Sequence, residues 1–266
     1  MASSTKASTA KATNVISSLT DLTHFLDSIP PGATLYLDLE VTRLVDVQTL
    51  GSAAFTTPAT NGKAIKAILE DPQISKCFWD VRNDADALWA HYKVRLAGVT
   101  DIQILENASR IGAKTYVRGL DTCVGKDLRL GFMELHRWVG TKKAIKSRMA
   151  DDIFSRRPLD VQTEKYCTND VVHLPALRVT YTKRINSQWK KKVMDESARR
   201  VVEAWSPEYE PQSGNKNLGP WGSESGTKTL TMDEYLEKYE DDRINSMEKD
   251  MFCDSDYDDL RRVWEN

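Results

Sequence analysis

The stretch Thr34-Leu-Tyr-Leu-Asp-Leu-Glu40 alternates leucine with tyrosine and acidic side chains, and this alternation predicts a β-strand. Side chains two residues apart on a strand point to the same face, so the carboxylates of Asp38 and Glu40 are expected to project together. Two acids at the end of a strand are more often a solvated surface than a site. The pair therefore gains meaning only from other acids that the fold brings to it.

Two later segments supply such acids. Asp84 lies where the short apolar run Cys77-Phe-Trp79 turns into a helix, and Tyr166 and Asp170 are four residues apart, on one face of a further helix. Several carboxylates that converge on one point need cations, and hard oxygen ligands suit Mg²⁺ or Mn²⁺. Two such ions about 4 Å apart can cleave a phosphodiester by in-line attack of water. The alternative for each segment is ordinary packing beside a surface acid.

The order of these motifs is similar to that of a known family. Leu37-Asp-Leu-Glu40, Asp80-Val-Arg-Asn-Asp84 and Tyr166-Cys-Thr-Asn-Asp170, with Arg157-Pro-Leu159 before the last, resemble the DEDDy-type 3′–5′ exonucleases. The chain more closely resembles the RNase D-like 3′–5′ exonuclease domain proteins that are common in fungi, and this similarity extends from about residue 35 to residue 221. The resemblance implies an α/β fold of the RNase H-like (DnaQ-like) type, a mixed sheet flanked by helices.

The resemblance also implies an activity and a set of site residues. We expect a metal-dependent 3′–5′ exonuclease that hydrolyses phosphodiester bonds of RNA or single-stranded DNA with two Mg²⁺ or Mn²⁺ ions. Asp38, Glu40, Asp84 and Asp170 would be the metal ligands, and Tyr166 would orient the attacking water. Asp86 is a rival for the role of Asp84; Asp84 is preferred because Leu88 and Tyr92 follow it at helical spacing on the expected buried stripe.

One departure from the family pattern follows the first motif. Only Val41-Thr-Arg43 separates Glu40 from Leu44-Val-Asp-Val47, where relatives have a turn and a complete apolar strand. The sheet is therefore predicted to lack one inner strand, so that Leu44–Val47 either moves beside Leu35–Leu39 or leaves an edge bare. This favours an alternative function, a catalytically weak or inactive scaffold that binds nucleic acid, whereas the retained site residues favour the enzyme.

The charge distribution points to a polyanionic partner. Residues 206–266 carry 16 acids and 7 Lys or Arg, a net charge of −9, which leaves +7 for residues 1–205. A basic body attracts phosphate backbones, although a solvated surface explains a modest surplus as well. Lys190-Lys-Lys192 is one candidate contact. The nucleic-acid contacts expected just before the third motif are Arg137, Lys142, Lys143 and Lys146.

Composition also sets the expected organisation. We expect a disordered N-terminus at 1–13, an exonuclease domain at 14–205 and an acidic, largely disordered tail at 206–266 that is either solubilising or a decoy for the basic groove. No apolar run reaches the roughly 20 residues that cross a membrane. The four cysteines form no CxxC pair. This favours reduced thiols in a nuclear or cytoplasmic protein.

Hydrophobic periodicity predicts strands alternating with helices, the order of an α/β domain. The strands are expected at 35–39, 44–47, 77–80 and the start of 99–110. The helices are expected at 20–28, 63–70, 84–92, within 117–148, at 161–185 and at 187–205.

Overall fold

Two small parallel sheets lie at the centre of the computed structural model, which describes residues 15–38, 44–146, 148 and 153–222, without the side chain of Lys146. One sheet has the order β1-β3 and the other the order β2-β4-β5. The strands are β1 (Val15–Ile16), β2 (Leu35–Tyr36), β3 (Leu44–Val45), β4 (Lys76–Phe78) and β5 (Val99–Asp101). The predicted α/β class is confirmed. Every ladder between these strands is parallel, and a single antiparallel bridge between described residues joins Tyr116 to Leu218.

Helices cover the sheets. The described ones are α1 (Leu19–Asp27), α2 (Val47–Leu50), α3 (Ala53–Thr56), α4 (Ile65–Glu70), α5 (Arg82–Tyr92), α6 (Ile102–Ser109), α7 (Leu120–Asp127), α8 (Phe132–Lys146), α9 (Val161–Val172), α10 (Leu174–Thr182) and α11 (Ser187–Glu203), followed by the 3₁₀ turn Gly214–Asn217. None of them has the length and apolar character of a membrane span within the described part of the chain.

The sheet is interrupted between β2 and β3. The amides of Leu35 and Leu37 donate to the carbonyls of Ser75 and Cys77 at 2.9 Å, so the backbone of Tyr36 points away from β4. β3 pairs with β1 instead of taking the place beside β2. Of the two outcomes foreseen for Leu44–Val47, strand β3 does not move beside β2, and among the described residues β2 pairs with β4 alone.

A cavity of about 150 Å³ lies at this interruption. Leu35, Leu37 and Asp38 line it from β2, and Val45 and Val47 line it from β3. The remaining lining residues are apolar and come from α1, α3, α4, β4 and α5: Phe25, Leu26, Ile29, Phe55, Ile65, Ile68, Leu69, Phe78 and Leu88. At about 24 cal/mol per Å³, such a void costs up to about 4 kcal/mol relative to a filled core.

Polar caps fix the helices that bring in site residues. The side chain of Asp101 caps α6, and that of Asp160 accepts from the amides of Gln162 and Thr163 at the start of α9. The single helix predicted at 161–185 was wrong: α9 ends at Val172, and α10 follows from Leu174. The physical reason is Pro175, which has no N–H and whose ring clashes with the carbonyl four residues earlier.

Residues 206–222 fold onto the domain, although the sequence analysis placed them with the acidic tail. Trp221 meets Trp189 of α11 edge to face at 5.1 Å, and Tyr209 donates to the side chain of Asn83 at 2.8 Å. Packing against the domain thus extends to residue 222, beyond the boundary at 205 that the acidic composition suggested. The predicted N-terminal region 1–13 and residues 223–266 of the predicted tail lie outside the described residues.

Candidate active site

Asp38 follows the last residue pair of β2 and borders the cavity between the two sheets. It lies two residues after the carboxyl end of β2, which is an edge strand of the sheet β2-β4-β5. Glu40 lies outside the described residues, so the structure describes one carboxylate of this motif.

Asp84 is 8 % exposed in the first turn of α5. The start of this helix is fixed by Asp80, which has a left-handed backbone (φ 57°) and accepts two hydrogen bonds from Arg82 at 2.6 and 2.8 Å. Burial opposes the charge of Asp80, but the guanidinium groups of Arg82 and Arg200 outweigh it and lower the pKa of this carboxyl.

A fully buried carboxylate on the next strand completes this support. Asp101 accepts hydrogen bonds from the amides of Asp80 and Val81 at 3.0 and 3.3 Å and from Arg200 at 2.8 Å. These contacts join β5 and α11 to the turn before α5. The start of α5, which carries Asp84, is therefore held in place by contacts with β5 and α11.

Asp170, in contrast, is already paired with a cation. Lys142 Nζ on α8 lies 2.8 Å from Asp170 Oδ1 on α9 and 2.7 Å from Asp121 Oδ1 on α7. Burial opposes the charge of Lys142, yet the two carboxylates outweigh it and raise the pKa of its ammonium. Burial also raises the pKa of Asp170, and the ammonium offsets part of that effect.

Tyr166 precedes Asp170 by one turn of α9 and is half-buried, with its ring 6.0 Å from that of Phe154. The segment before α9 is joined to the end of β3 by Arg157, which donates two hydrogen bonds to the carboxylate of Asp46 at 2.6 and 2.8 Å. The bond from Arg157 is the main cause that lowers the pKa of Asp46 to about 2. This ion pair links the third motif to the far side of the interrupted sheet.

Within the described part of the chain, which leaves out Glu40, no three His, Cys, Asp or Glu side chains form a group that could hold a metal ion. The chemistry at Asp170 nevertheless fits a hard cation. Its Oδ1 lies 2.8 Å from the ammonium of Lys142, so a positive charge already occupies the place beside this carboxylate.

The predicted nucleic-acid contacts lie along α8. Arg137 and Lys143 are exposed, whereas Lys142 is committed to Asp170 and Asp121. The side chain of Lys146 lies outside the described residues. Sequence reasoning missed the pairing of Lys142, because no local pattern relates a lysine of α8 to acids of α7 and α9. The ion pair between Arg157 and Asp46 was missed for the same reason.

Comparison with known proteins gives the family. A model of the 3′–5′ exonuclease domain matches residues 31–186, more than half of the chain. This chain therefore belongs to the 3′–5′ exonuclease family, and all five predicted site residues fall within the matched range. No curated protein sequence matches the chain.

Solved structures of Trypanosoma brucei RNase D resemble the fold. The complex of that protein with GMP is 19 % identical to this chain, with a TM-score of 0.60 over 85 % of this chain and 70 % of the other. The complex with RNA U12 gives 19 % identity and a TM-score of 0.57, over 85 % and 78 % of the two chains. At this identity the likeness establishes the fold, an RNase D-like exonuclease domain.

Proposed function

We propose that this chain is a divalent-metal-dependent exonuclease that removes nucleotides from the 3′ end of single-stranded nucleic acid, with RNA as the preferred substrate. The family match over residues 31–186 carries the proposal, because it spans every acid of the expected site. The RNA complex of T. brucei RNase D supports the choice of RNA.

The acids have distinct roles in this proposal. Asp38, Glu40, Asp84 and Asp170 would hold the ions, which we take to be two Mg²⁺ or Mn²⁺. When bound, such ions supply positive charge for the leaving oxygen and lower the pKa of water. Tyr166 would hold the attacking water by a hydrogen bond from its hydroxyl, and the network at the start of α5 would keep Asp84 in place.

The phosphate backbone would follow the exposed side of α8. Arg137 and Lys143 remain candidates for this contact, and Lys146 remains a proposal from the sequence. Lys142 would contact nucleic acid only after leaving Asp170, since its ammonium is held by two carboxylates. We further propose an intracellular location; Cys77, Cys123 and Cys167 are buried free thiols, in keeping with a reducing compartment.

The decisive experiment compares Asp38, which is assigned to the metal site, with Asp86, which is not. Asp38→Asn removes a ligand and should lower Mn²⁺-dependent degradation of a labelled single-stranded RNA by about 10³-fold or more, with binding in EDTA retained. Asp86→Asn is the matched control and should leave turnover within about twofold. Unchanged turnover in Asp38→Asn contradicts the assignment of Asp38 as a ligand. A loss of turnover in Asp86→Asn contradicts the choice of Asp84 over Asp86 in the second motif.

A second function is favoured by one observation. Because the ammonium of Lys142 is paired with Asp170 at 2.8 Å, a scaffold that binds RNA without cleaving it is the alternative. Retained binding in EDTA, with no degradation by the unmodified chain in either Mg²⁺ or Mn²⁺, would establish the scaffold.

A further inference from the structure

We infer that a groove at the far end of α5 is a second contact site for single-stranded nucleic acid; the inference rests on the proposed function. The aromatic and basic residues of this groove, Lys66, Trp89, Lys93, Arg95 and Trp205, are absent from the predicted site. The groove encloses about 610 Å³, and Glu70, Leu96 and Ala97 complete its lining.

Two indole rings form the aromatic part of the groove. The rings of Trp89 and Trp205 are 5.9 Å apart and tilted by 41°, so they neither stack nor cover each other's faces completely. Both indole rings are half-buried, so the exposed part of each ring offers a nucleobase a stacking surface.

Two cations lie against this surface. Lys93 Nζ is 5.0 Å and the Arg95 guanidinium 5.2 Å from the ring centre of Trp89. Both side chains are exposed, and no ion pair within the described residues involves either of them. Their charge is therefore available to phosphate, in contrast to that of Lys142.

The acid of the groove does not cancel this charge. Glu70 accepts a hydrogen bond from the backbone amide of Arg95 at 2.9 Å and is 3.9 Å from Lys66. Lys66 in turn donates to the carbonyl of Lys93 at 2.9 Å. One carboxylate against three cations leaves a positive groove, which is the composition that binds a nucleotide by phosphate contact and stacking.

The groove is placed to hold the part of a strand that has not yet reached the active site. Lys93 follows Asp84 by nine residues of α5, which is about 13 Å along a helix axis. A short oligonucleotide bound at its 3′ end would not extend to the groove, whereas a longer one would. The groove should therefore strengthen the binding of long oligonucleotides only and leave hydrolysis at the 3′ end unchanged.

The test measures binding of fluorescein-labelled RNA by anisotropy in EDTA, with oligomers of about 4 and about 16 nucleotides. In Lys93→Gln/Arg95→Gln, affinity for the long oligomer should fall about tenfold, and the slope of log affinity against log salt should decrease by about 1.4. The short oligomer should bind and be cleaved as before. Trp205→Leu should also lower the affinity for the long oligomer about tenfold, without changing the slope of log affinity against log salt.

The chain contains a matched control. Arg129 and Lys183 are two exposed cations that the groove does not include and that have no place in the predicted site. Arg129→Gln/Lys183→Gln should leave the affinity for both oligomers unchanged. Equal losses of affinity in the control and in the groove variant would mean that net charge alone causes the effect, and would overturn the inference.

Two further outcomes separate the groove from the proposed function. If the unmodified chain degrades no RNA but the long oligomer still depends on Lys93, Arg95 and Trp205, the groove stands and the exonuclease proposal fails. If the chain degrades RNA and the groove variants bind the long oligomer as tightly as the unmodified protein, the groove is a solvated surface and the inference is wrong.

Discussion

Lys142 is the residue on which the state of the active site depends. Its ammonium forms ion pairs with both Asp170 and Asp121, at 2.8 and 2.7 Å. A divalent ion that binds Asp170 must therefore compete with an internal cation. The competition is electrostatic, since both cations interact with the same carboxylate at close range.

We expect Lys142→Met to tighten Mn²⁺ binding by about tenfold, because the methionine keeps the length of the side chain and removes the competing charge. Calorimetric titration of the nucleic-acid-free protein with Mn²⁺ measures this directly. Lys143→Met, one residue along on α8, is the control and should leave the affinity unchanged. Weaker Mn²⁺ binding in Lys142→Met would show that the lysine supports the site instead of competing for it.

At the scale of the element, the ion pair between Arg157 and Asp46 fastens the segment before α9 to the end of β3. Asp46 is 5 % exposed, and its carboxylate also accepts from the amide and hydroxyl of Thr49. The pKa of Asp46 in the fold is about 2, below its ordinary value of 3.8. A carboxyl group whose pKa is lowered in the fold stabilises the fold at pH values above its ordinary pKa. This stabilisation is lost as the pH falls through the pKa of the folded state.

The corresponding prediction is a loss of about 2 kcal/mol of unfolding free energy between about pH 4 and about pH 2 from this carboxylate. Arg157→Gln should lower stability at neutral pH and flatten that part of the pH profile, as measured by urea unfolding. Arg156→Gln, the neighbouring residue, should keep the profile of the unmodified protein. An identical pH profile in Arg157→Gln would assign the lowered pKa to Thr49 alone.

The interruption between β2 and β3 is the second feature at this scale. Leu35, Leu37 and Asp38 line a cavity where an inner strand would pack. Among the described residues β2 pairs with β4 alone, and an open strand edge beside apolar side chains favours aggregation. No other described strand holds the position of Asp38 from that side.

Inserting a turn and an apolar strand between Glu40 and Leu44 should therefore raise both stability and activity. Filling the cavity should add up to about 4 kcal/mol to the free energy of unfolding. A flexible Gly/Ser insertion of equal length is the control, since it lengthens the connection without filling the space. Equal stability and equal turnover in all three proteins would mean that the shortened segment is harmless.

For the whole molecule, the division of charge is the main long-range feature. The chain is nearly neutral at −2, but residues 206–266 carry −9 and the remainder +7. A polyanionic tail competes with RNA for a basic body, and salt screens that competition.

Removal of residues 223–266 should strengthen RNA binding at low salt, with the gain vanishing as the salt concentration rises. Anisotropy titrations of the full and shortened chains over a salt series measure the effect. A chain with the tail acids changed to Asn and Gln is the control for length. Equal affinity of full and shortened chains at every salt concentration would rule out a decoy role.

The sequence by itself determined the local chemistry of this protein. The alternation at 34–40 predicted the first strand, the spacing of Tyr166 and Asp170 predicted their common helix face, and the order of the motifs predicted the family and the α/β class. Periodicity and motif order act over a few residues or along the chain, so they can be read without knowing which elements meet.

Only the tertiary structure decided which residues from distant parts of the chain contact each other. It placed Lys142 against Asp170, Arg157 against Asp46 and Arg200 against Asp101, and it joined Trp89 to Trp205 in one groove. It also placed Leu44 beside Val15, so that among the described residues β2 pairs with β4 alone. These contacts connect elements far apart in the chain, and the burial, cavity and ion pairs that they create exist only once those elements have packed together.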